Sequence, residues 1–342
     1  MPWLSLPANA VGLAPMAGIS DSPFRQLCKE FGADFVFSEM ISAAGLSRNP
    51  TGVRHDQGER RKSAESKSLA YARFEKKERP IVLQIFGHNP AEMAQAARFL
   101  VAKTKPDGID INMGCPVRKV VNGGSGVALM DDPALAVAIT RAVKASIGPI
   151  PLSVKTRLGN NQPSILELAP LLAEAGADLL IIHPRLRRQL FKGPLDYKTV
   201  GQVTKKISIP VMLSGGIQSK SDINHLRKIT GARYFMVGQA ALGNPFIFRQ
   251  IKNPGDHPGT KEILATMLRH TERQIGYRQY ESGAITEMRK HFAWYLRGFT
   301  NAARWRQLLV RCNTRWEVKR ILLEIDRRNQ SYPAQKITDP VL

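Results

Sequence analysis

Along the chain, short runs of apolar and β-branched residues alternate with longer stretches whose apolar positions recur at helical spacing. The runs at 11–14, 35–37, 81–86, 108–112, 152–156, 179–183, 211–214 and 234–237 read as eight strands. Helical stretches at 23–31, 90–102, 133–146, 165–175 and 221–229 lie between them, several opened by proline or by serine and aspartate caps. Eight β/α units, each crossing over right-handedly within about 250 residues, predict a closed (β/α)8 barrel. A doubly wound open sheet is the alternative architecture. It would carry a G-x-G-x-x-G turn between a strand and a helix, and no such turn stands in that setting.

Barrel chemistry collects at the carboxyl ends of the strands, and the unusual residues of this chain fall there. Pro15, Met16 and Ala17 follow the first predicted strand, Ser38-Glu39-Met40 the second, and Gln84 sits near the end of the third. The fourth ends in Asn112-Met113-Gly114-Cys115-Pro116, which places a cysteine on a loop just past a buried strand. Lys155 and Arg157 end the fifth, His183 and Arg185 the sixth, Ser214-Gly215-Gly216 the seventh, and Gly238-Gln239 the eighth. Glycines after the last two strands leave bare backbone N–H groups that can approach a phosphate. A lysine inside an apolar mouth needs an anionic partner, and a reduced flavin, negative around N1 and O2, supplies one.

Composition narrows the setting. The 342 residues are 43% hydrophobic, enough for one large core and a smaller domain. Cys28, Cys115 and Cys312 lie far apart and are odd in number, which suits neither a disulfide framework nor a Cys-rich zinc site. Cys28 and Cys312 fall in helical patterns and read as packing residues. The seven histidines do not pair with carboxylates at ligand spacing, so no metal is expected. The amino terminus shows no signal peptide and no run spans a bilayer, which predicts a cytoplasmic protein away from membranes.

Charge adds a partner. A net charge of +22 exceeds what solubility requires and points to a polyanion. The basic residues cluster, first at Arg60, Arg61, Lys62, Lys67, Arg73, Lys76, Lys77 and Arg79, then at Arg185, Arg187, Arg188 and Lys192. A third cluster runs from Arg289 to Arg320 with Trp294, Tyr295, Trp305 and Trp316 interleaved, and most of these aromatics read as core.

The blocks L-A-P-M-A-G-I-S-D-S-P-F-R, S-E-M, Q-I-F-G, D-I-N-M-G-C-P, K-T-R, I-I-H-P-R and S-G-G-I together resemble the tRNA-dihydrouridine synthase family over nearly the whole chain. M-R-K-H-F-A-W-Y-L and G-N-P-F-I-F are similar to its bacterial B-type branch. The resemblance implies an FMN-binding TIM barrel over 1–252 and a helical tRNA-binding domain over 253–342. It implies NADPH, or NADH, as reductant, tRNA as partner and Cys115 as general acid. Pro15, Met16 and Ala17 are then expected to line the flavin, Gln84 and Lys155 to bond its ring, and His183 to add a polar contact. Ser214, Gly215, Gly216, Gly238 and Gln239 are expected at its phosphate, with Asn112, Arg157 and Arg185 facing the substrate. Many B-type members read N-G-D and G-R-A where this chain has Ser214-Gly215-Gly216 and Gly238-Gln239-Ala240, which weakens the expected phosphate clamp by an arginine and leaves backbone amides to compensate. A monomeric or weakly associating chain is expected. A noncatalytic tRNA-binding relative, or an FMN reductase of a small enone or pyrimidine base, are the alternative readings.

Overall fold

The computed structural model describes residues 5–48 and 67–329; the stretch 54–66, with His55 and the basic residues Arg60, Arg61 and Lys62, lies outside them. Among the described residues nine strands form: β1 (Val11–Leu13), β2 (Val36–Phe37), β3 (Ile41–Ser42), β4 (Ile81–Phe86), β5 (Gly108–Met113), β6 (Leu152–Thr156), β7 (Leu179–Ile182), β8 (Val211–Ser214) and β9 (Tyr234–Val237). Every pairing is parallel. The order β2-β1-β9-β8-β7-β6-β5-β4 closes on itself because β2 also pairs with β4, which makes the eight-stranded barrel that the sequence predicts. The ninth strand, β3, pairs with the end of β4 through Ile41 against Ile85, while β2 pairs with its beginning through Val36 against Ile81.

Side chains alternate in and out along each strand, and this decides what the barrel holds. One parity gives an apolar layer of Phe35, Phe37, Val82, Leu179, Ile181, Met212, Tyr234 and Met236. On β5 and β6 the same inward parity brings polar groups, with Asp110 in register with Gln84 and Ser153, and Asn112 in register with Lys155. The connecting helices start as predicted. Asn89 caps the helix Pro90–Thr104, Asp132 caps Pro133–Ile147 and Ser219 caps Lys220–Thr230, each accepting backbone N–H groups of the first turn. A helix at Tyr197–Lys206, capped by Asp196, joins them between β7 and β8.

The chain divides into two compact units, Met1–Asp21 with Ala33–Gly238, and Ser22–Gly32 with Gln239–Leu342. The first helix, Ser22–Glu30, therefore belongs with the carboxy-terminal helices. Its Leu27, followed by Phe31, joins a core of Phe246, Met267, Met288, Phe292, Trp305 and Ile325. Each such large side chain contributes about 1.5–3 kcal/mol on burial. Trp305 and Tyr295 are core, Trp294 is half-buried and Trp316 is exposed. Cys312 is buried, but in the turn between the helices Ala302–Leu309 and Arg315–Asn329, which corrects its helical assignment. A buried cysteine satisfies the same apolar pattern in a turn as in a helix.

This second unit also buries polar rings. His270 Nδ1 lies 3.2 Å from Tyr295 Oη, and the His291 ring meets the His270 ring edge-on at 4.6 Å. Burial, reinforced by Arg273 and Lys290, pulls His270 from 6.5 to about 3, and burial also holds His291 well below the ordinary range. Both rings are neutral when folded and take up protons when unfolded, so stability is present above the unfolded value and is lost as pH falls toward the folded one. His270 alone then removes about 1.4 kcal/mol per pH unit inside that window. Melting followed by circular dichroism should show a Tm several degrees lower at pH 5.5 than at pH 7.5, with a smaller drop in His270→Gln. Equal slopes for the two proteins would contradict this assignment.

Candidate active site at the barrel mouth

Inward positions of β4, β5 and β6 carry a connected polar chain that runs to the carboxyl end of β5. Ser153 Oγ donates to Asp110 Oδ1, and Gln84 Nε2 donates to Asp110 Oδ2 at 2.7 Å. Asn112 Nδ2 donates to Gln84 Oε1 at 2.9 Å, and Asn112 Oδ1 accepts the backbone N–H groups of Gly114 at 3.1 Å and Cys115 at 2.9 Å. Met40 Sδ stands 3.9 Å from the same Asn112 nitrogen. The loop carrying Cys115 is thus tied to the strand that precedes it. Gly126 seals its other side: φ is +64°, and a Cβ there would sit 2.8 Å from Cys115 O.

Two cations, Arg157 and Lys155, act on the Cys115 thiol by charge. Arg157 Nε donates to Gly114 O at 3.0 Å, its Nη1 donates to Leu186 O and Leu190 O, and its guanidinium lies 5.5 Å from the centre of the Phe191 ring. Arg185 donates twice to Gly193 O. Among the described residues no hydrogen bond or ion pair reaches the Lys155 ammonium. Burial pulls that ammonium down, opposed by Asp110, and burial pushes the Asp110 carboxyl up, opposed by Ser153, Gln84 and Lys155. Burial likewise raises the Cys115 thiol, against the Val117 backbone, Arg157 and Lys155, so it stays protonated at neutral pH.

His183 Nδ1 lies 2.6 Å from Ser214 O; a carbonyl only accepts, so Nδ1 carries the proton. Burial, with Lys155 and Arg157, holds the ring well below the usual histidine range, and it is neutral. Its Nε2 is then an acceptor, buried and, among the described residues, without a partner. Gly215 stands against this ring, where a Cβ would fall 2.9 Å from it, and a Cβ on Gly216 would fall 1.9 Å from Tyr197 Oη. These glycines are demanded by their own neighbours. Among the described residues no acceptor meets their backbone N–H groups.

Gln84, Asn112, Cys115, Lys155, Arg157, His183, Ser214 and Gly215 are therefore linked by contacts or by shared charge at one end of the barrel. Met16 joins from β1, next to Gly238, whose added Cβ would lie 3.7 Å from Met16 Sδ. Pro15 is half-buried and Ala17 exposed on the same loop. Gln239 opens a short 3-10 turn, Gln239–Ala241, in the second compact unit. Glu39 is buried and accepts the Gly18 backbone N–H, which ties the loop after β1 to the end of β2. His88 and His225 are exposed. Among the described residues no group of three or more His, Cys, Asp or Glu is placed to hold a metal, and no helix is long and apolar enough to cross a membrane.

Two residues at this mouth escaped the sequence reading. Asp110 was legible as a lone charge on the inward parity of an apolar strand, two residues before Asn112. Phe191, exposed beside Arg157 and His183, carries no pattern that marks it. Alkylation of Cys115, followed on its peptide by mass spectrometry, should rise half-way only above the ordinary thiol value of 9.0. A midpoint near neutrality would contradict the burial argument.

A family model described as dihydrouridine synthase (Dus) matches residues 12–330. A probable tRNA-dihydrouridine synthase of Aquifex aeolicus is 35% identical over 314 residues, 90% of this chain and 94% of the relative. The tRNA-dihydrouridine synthase B of Pasteurella multocida is 33% identical over 297 residues, 85% and 84% of the two chains. Among solved structures, the old yellow enzyme from Trypanosoma cruzi superposes with a TM-score of 0.52 at 11% identity, over 75% of this chain and 91% of that one. A morphinone reductase variant in complex with tetrahydroNAD gives 0.51 at 12% identity, over 77% and 92%. The two structural likenesses speak for the barrel alone, whereas the family match and the relatives extend over most of the sequence, and on these the chain belongs to the dihydrouridine synthase family.

Proposed function

We propose that this protein reduces the C5–C6 double bond of uridine in tRNA to 5,6-dihydrouridine, using FMN that NADPH has reduced. The observation that carries the reading is the Cys115 loop, tied by its backbone N–H to Asn112 Oδ1 and by the Gly114 carbonyl to Arg157, at the mouth of a barrel in a chain of this family.

The residues fit a flavin mononucleotide. Among the described residues His183 Nε2 is an unmet acceptor for a hydroxyl or ring N–H, the Lys155 ammonium has no hydrogen bond or ion pair and suits a site of negative charge, and the N–H groups of Gly215 and Gly216 are unmet donors for a phosphate. Pro15, Met16 and Ala17 supply an apolar wall, with Ser214 and Gly238 beside the phosphate end, and Gln239 is assigned there from the resemblance. Gln84 can offer the ring only its second N–H and its second lone pair, since Asp110 and Asn112 take the others. When bound, the flavin supplies a hydride for C6 of the uracil.

Cys115 holds the proton that C5 must receive. A thiol that stays protonated can act as an acid without a partner base, and the cations nearby stabilise the thiolate left behind. Asn112, Arg157 and Arg185 face the uracil edge, and Arg157 is held rigidly by three backbone carbonyls. The target base leaves the RNA stack to reach this mouth. Arg185, Arg187 and Arg188 grip phosphates, together with residues 253–342, where Arg304, Arg306, Arg311, Arg315, Lys319 and Arg320 are exposed.

Unmodified tRNA incubated with the protein and NADPH should yield dihydrouridine by nucleoside mass spectrometry. Cys115→Ala should keep its flavin and its NADPH oxidation, yet lose product by about 10²-fold or more. No product from flavin-loaded wild type would overturn the reading, and tRNA left unchanged while free uracil is reduced would favour a small-molecule reductase. Binding of tRNA should weaken at least about tenfold between 50 and 200 mM salt; a flat dependence would remove the basic residues from the interface.

A further inference from the structure

We propose that Asp110 is a positioning residue for Cys115: as an acceptor at the floor of the mouth, it fixes which way the Gln84 and Asn112 amides face and so holds the thiol loop. The inference deepens the proposed function, since it concerns how that site keeps its acid in place, but its geometry stands without knowledge of the substrate.

The direction of the relay is forced from the loop end. The backbone N–H groups of Gly114 and Cys115 can only donate, so the oxygen of Asn112 must face them. Asn112 Nδ2 then points at Gln84 and requires the oxygen of that amide. Gln84 Nε2 is left facing Asp110, whose Oδ2 must accept. A proton on that oxygen, or an apolar residue in its place, leaves a donor without a partner and frees Gln84 to turn over. Asn112 would then lose its acceptor and could turn in sequence, which would set an NH₂ group against two backbone N–H groups. All three side chains are buried, so water cannot repair the mismatch cheaply. Ser153 anchors the other carboxylate oxygen and keeps the group from rotating out of line. Burial pushes this carboxyl up to about 7 against the Ser153 and Gln84 donors and the Lys155 charge, so the accepting form gains as pH rises past neutrality.

The alternative is that Asp110 serves only general packing of the barrel. The two differ in what rescues a substitution. Asp110→Ala removes the acceptor, whereas Asp110→Asn can keep an oxygen toward Gln84 while discarding the charge. Gln84→Met breaks the relay in the middle and leaves Asp110 and its Ser153 bond in place. Asn112→Ala removes the element through which any effect must pass.

The test is the alkylation rate of Cys115 in the full-length protein at one pH, read on its peptide by mass spectrometry with Cys28 and Cys312 as buried controls. Asp110→Ala and Gln84→Met should each speed alkylation by about threefold or more, and Asp110→Asn should return most of the way to wild type. In an Asn112→Ala background neither substitution should add further, the coupling expected of residues in one network. Wild-type rates in Gln84→Met, failure of Asp110→Asn to rescue, or effects that persist unchanged without Asn112 would each overturn the proposal. If Asp110→Ala does not fold, Gln84→Met and its double variant decide the matter alone. Because alkylation needs no RNA, absence of dihydrouridine formation by wild type would count against the proposed function and leave this result intact.

Discussion

A carboxylate at the floor of a barrel mouth, where water is excluded, has to be met by donors, and much of this site is arranged around that demand. Asp110 receives Ser153 from one neighbouring strand and Gln84 from the other. Because the strands are parallel and closed into a ring, their inward positions fall in register, and Gln84, Asp110 and Ser153 meet across three adjacent strands without any loop having to fold back. Deeper in the barrel the same parity is filled by Phe35, Phe37 and Val82, which give the polar layer a dry floor. Buried polar groups on such a floor are costly unless each is paired. The chain of bonds running to the Cys115 loop is how this protein pairs them.

What the pairing leaves unpaired is equally informative. Among the described residues no hydrogen bond or ion pair reaches Lys155, His183 Nε2 or the N–H groups of Gly215 and Gly216 at the same end of the barrel, and they comprise a cation, an acceptor and two donors. Arg157 is the opposite case: it is bound to the carbonyls of Gly114, Leu186 and Leu190, so its charge is fixed in place beside the thiol. A rigid set of charges and a complementary set of unmet ones is the arrangement expected where a bound group completes a site.

Most of the barrel was legible because strands buried on both faces appear as short apolar runs, and their capped helices announce their starts. The pieces that were not legible have physical reasons. Ile41–Ser42 pairs through only two residues, too few to show any period. The amphipathic pattern of Ser22–Glu30 shows that Leu27 is buried but not that its partners are Phe246 and Met267, far along the chain. At the site, Asn112, Cys115 and Lys155 stood out as polar residues at strand ends. Glycines 215 and 216 were read as room for an anion, yet their side-chain directions are occupied by His183 and Tyr197, so their donors are what remains to offer. A spacing pattern cannot tell these two demands apart.

We propose that the inward groups at this mouth form a flavin cradle in which Lys155 supplies the charge. It is tested most directly by titrating FMN into flavin-stripped protein and following fluorescence quenching for wild type and Lys155→Met. Saturable binding at one site per chain, weakened about tenfold or more by loss of the buried ammonium, is the expected result. Equal affinity in the two proteins, or no binding by wild type, would contradict the account.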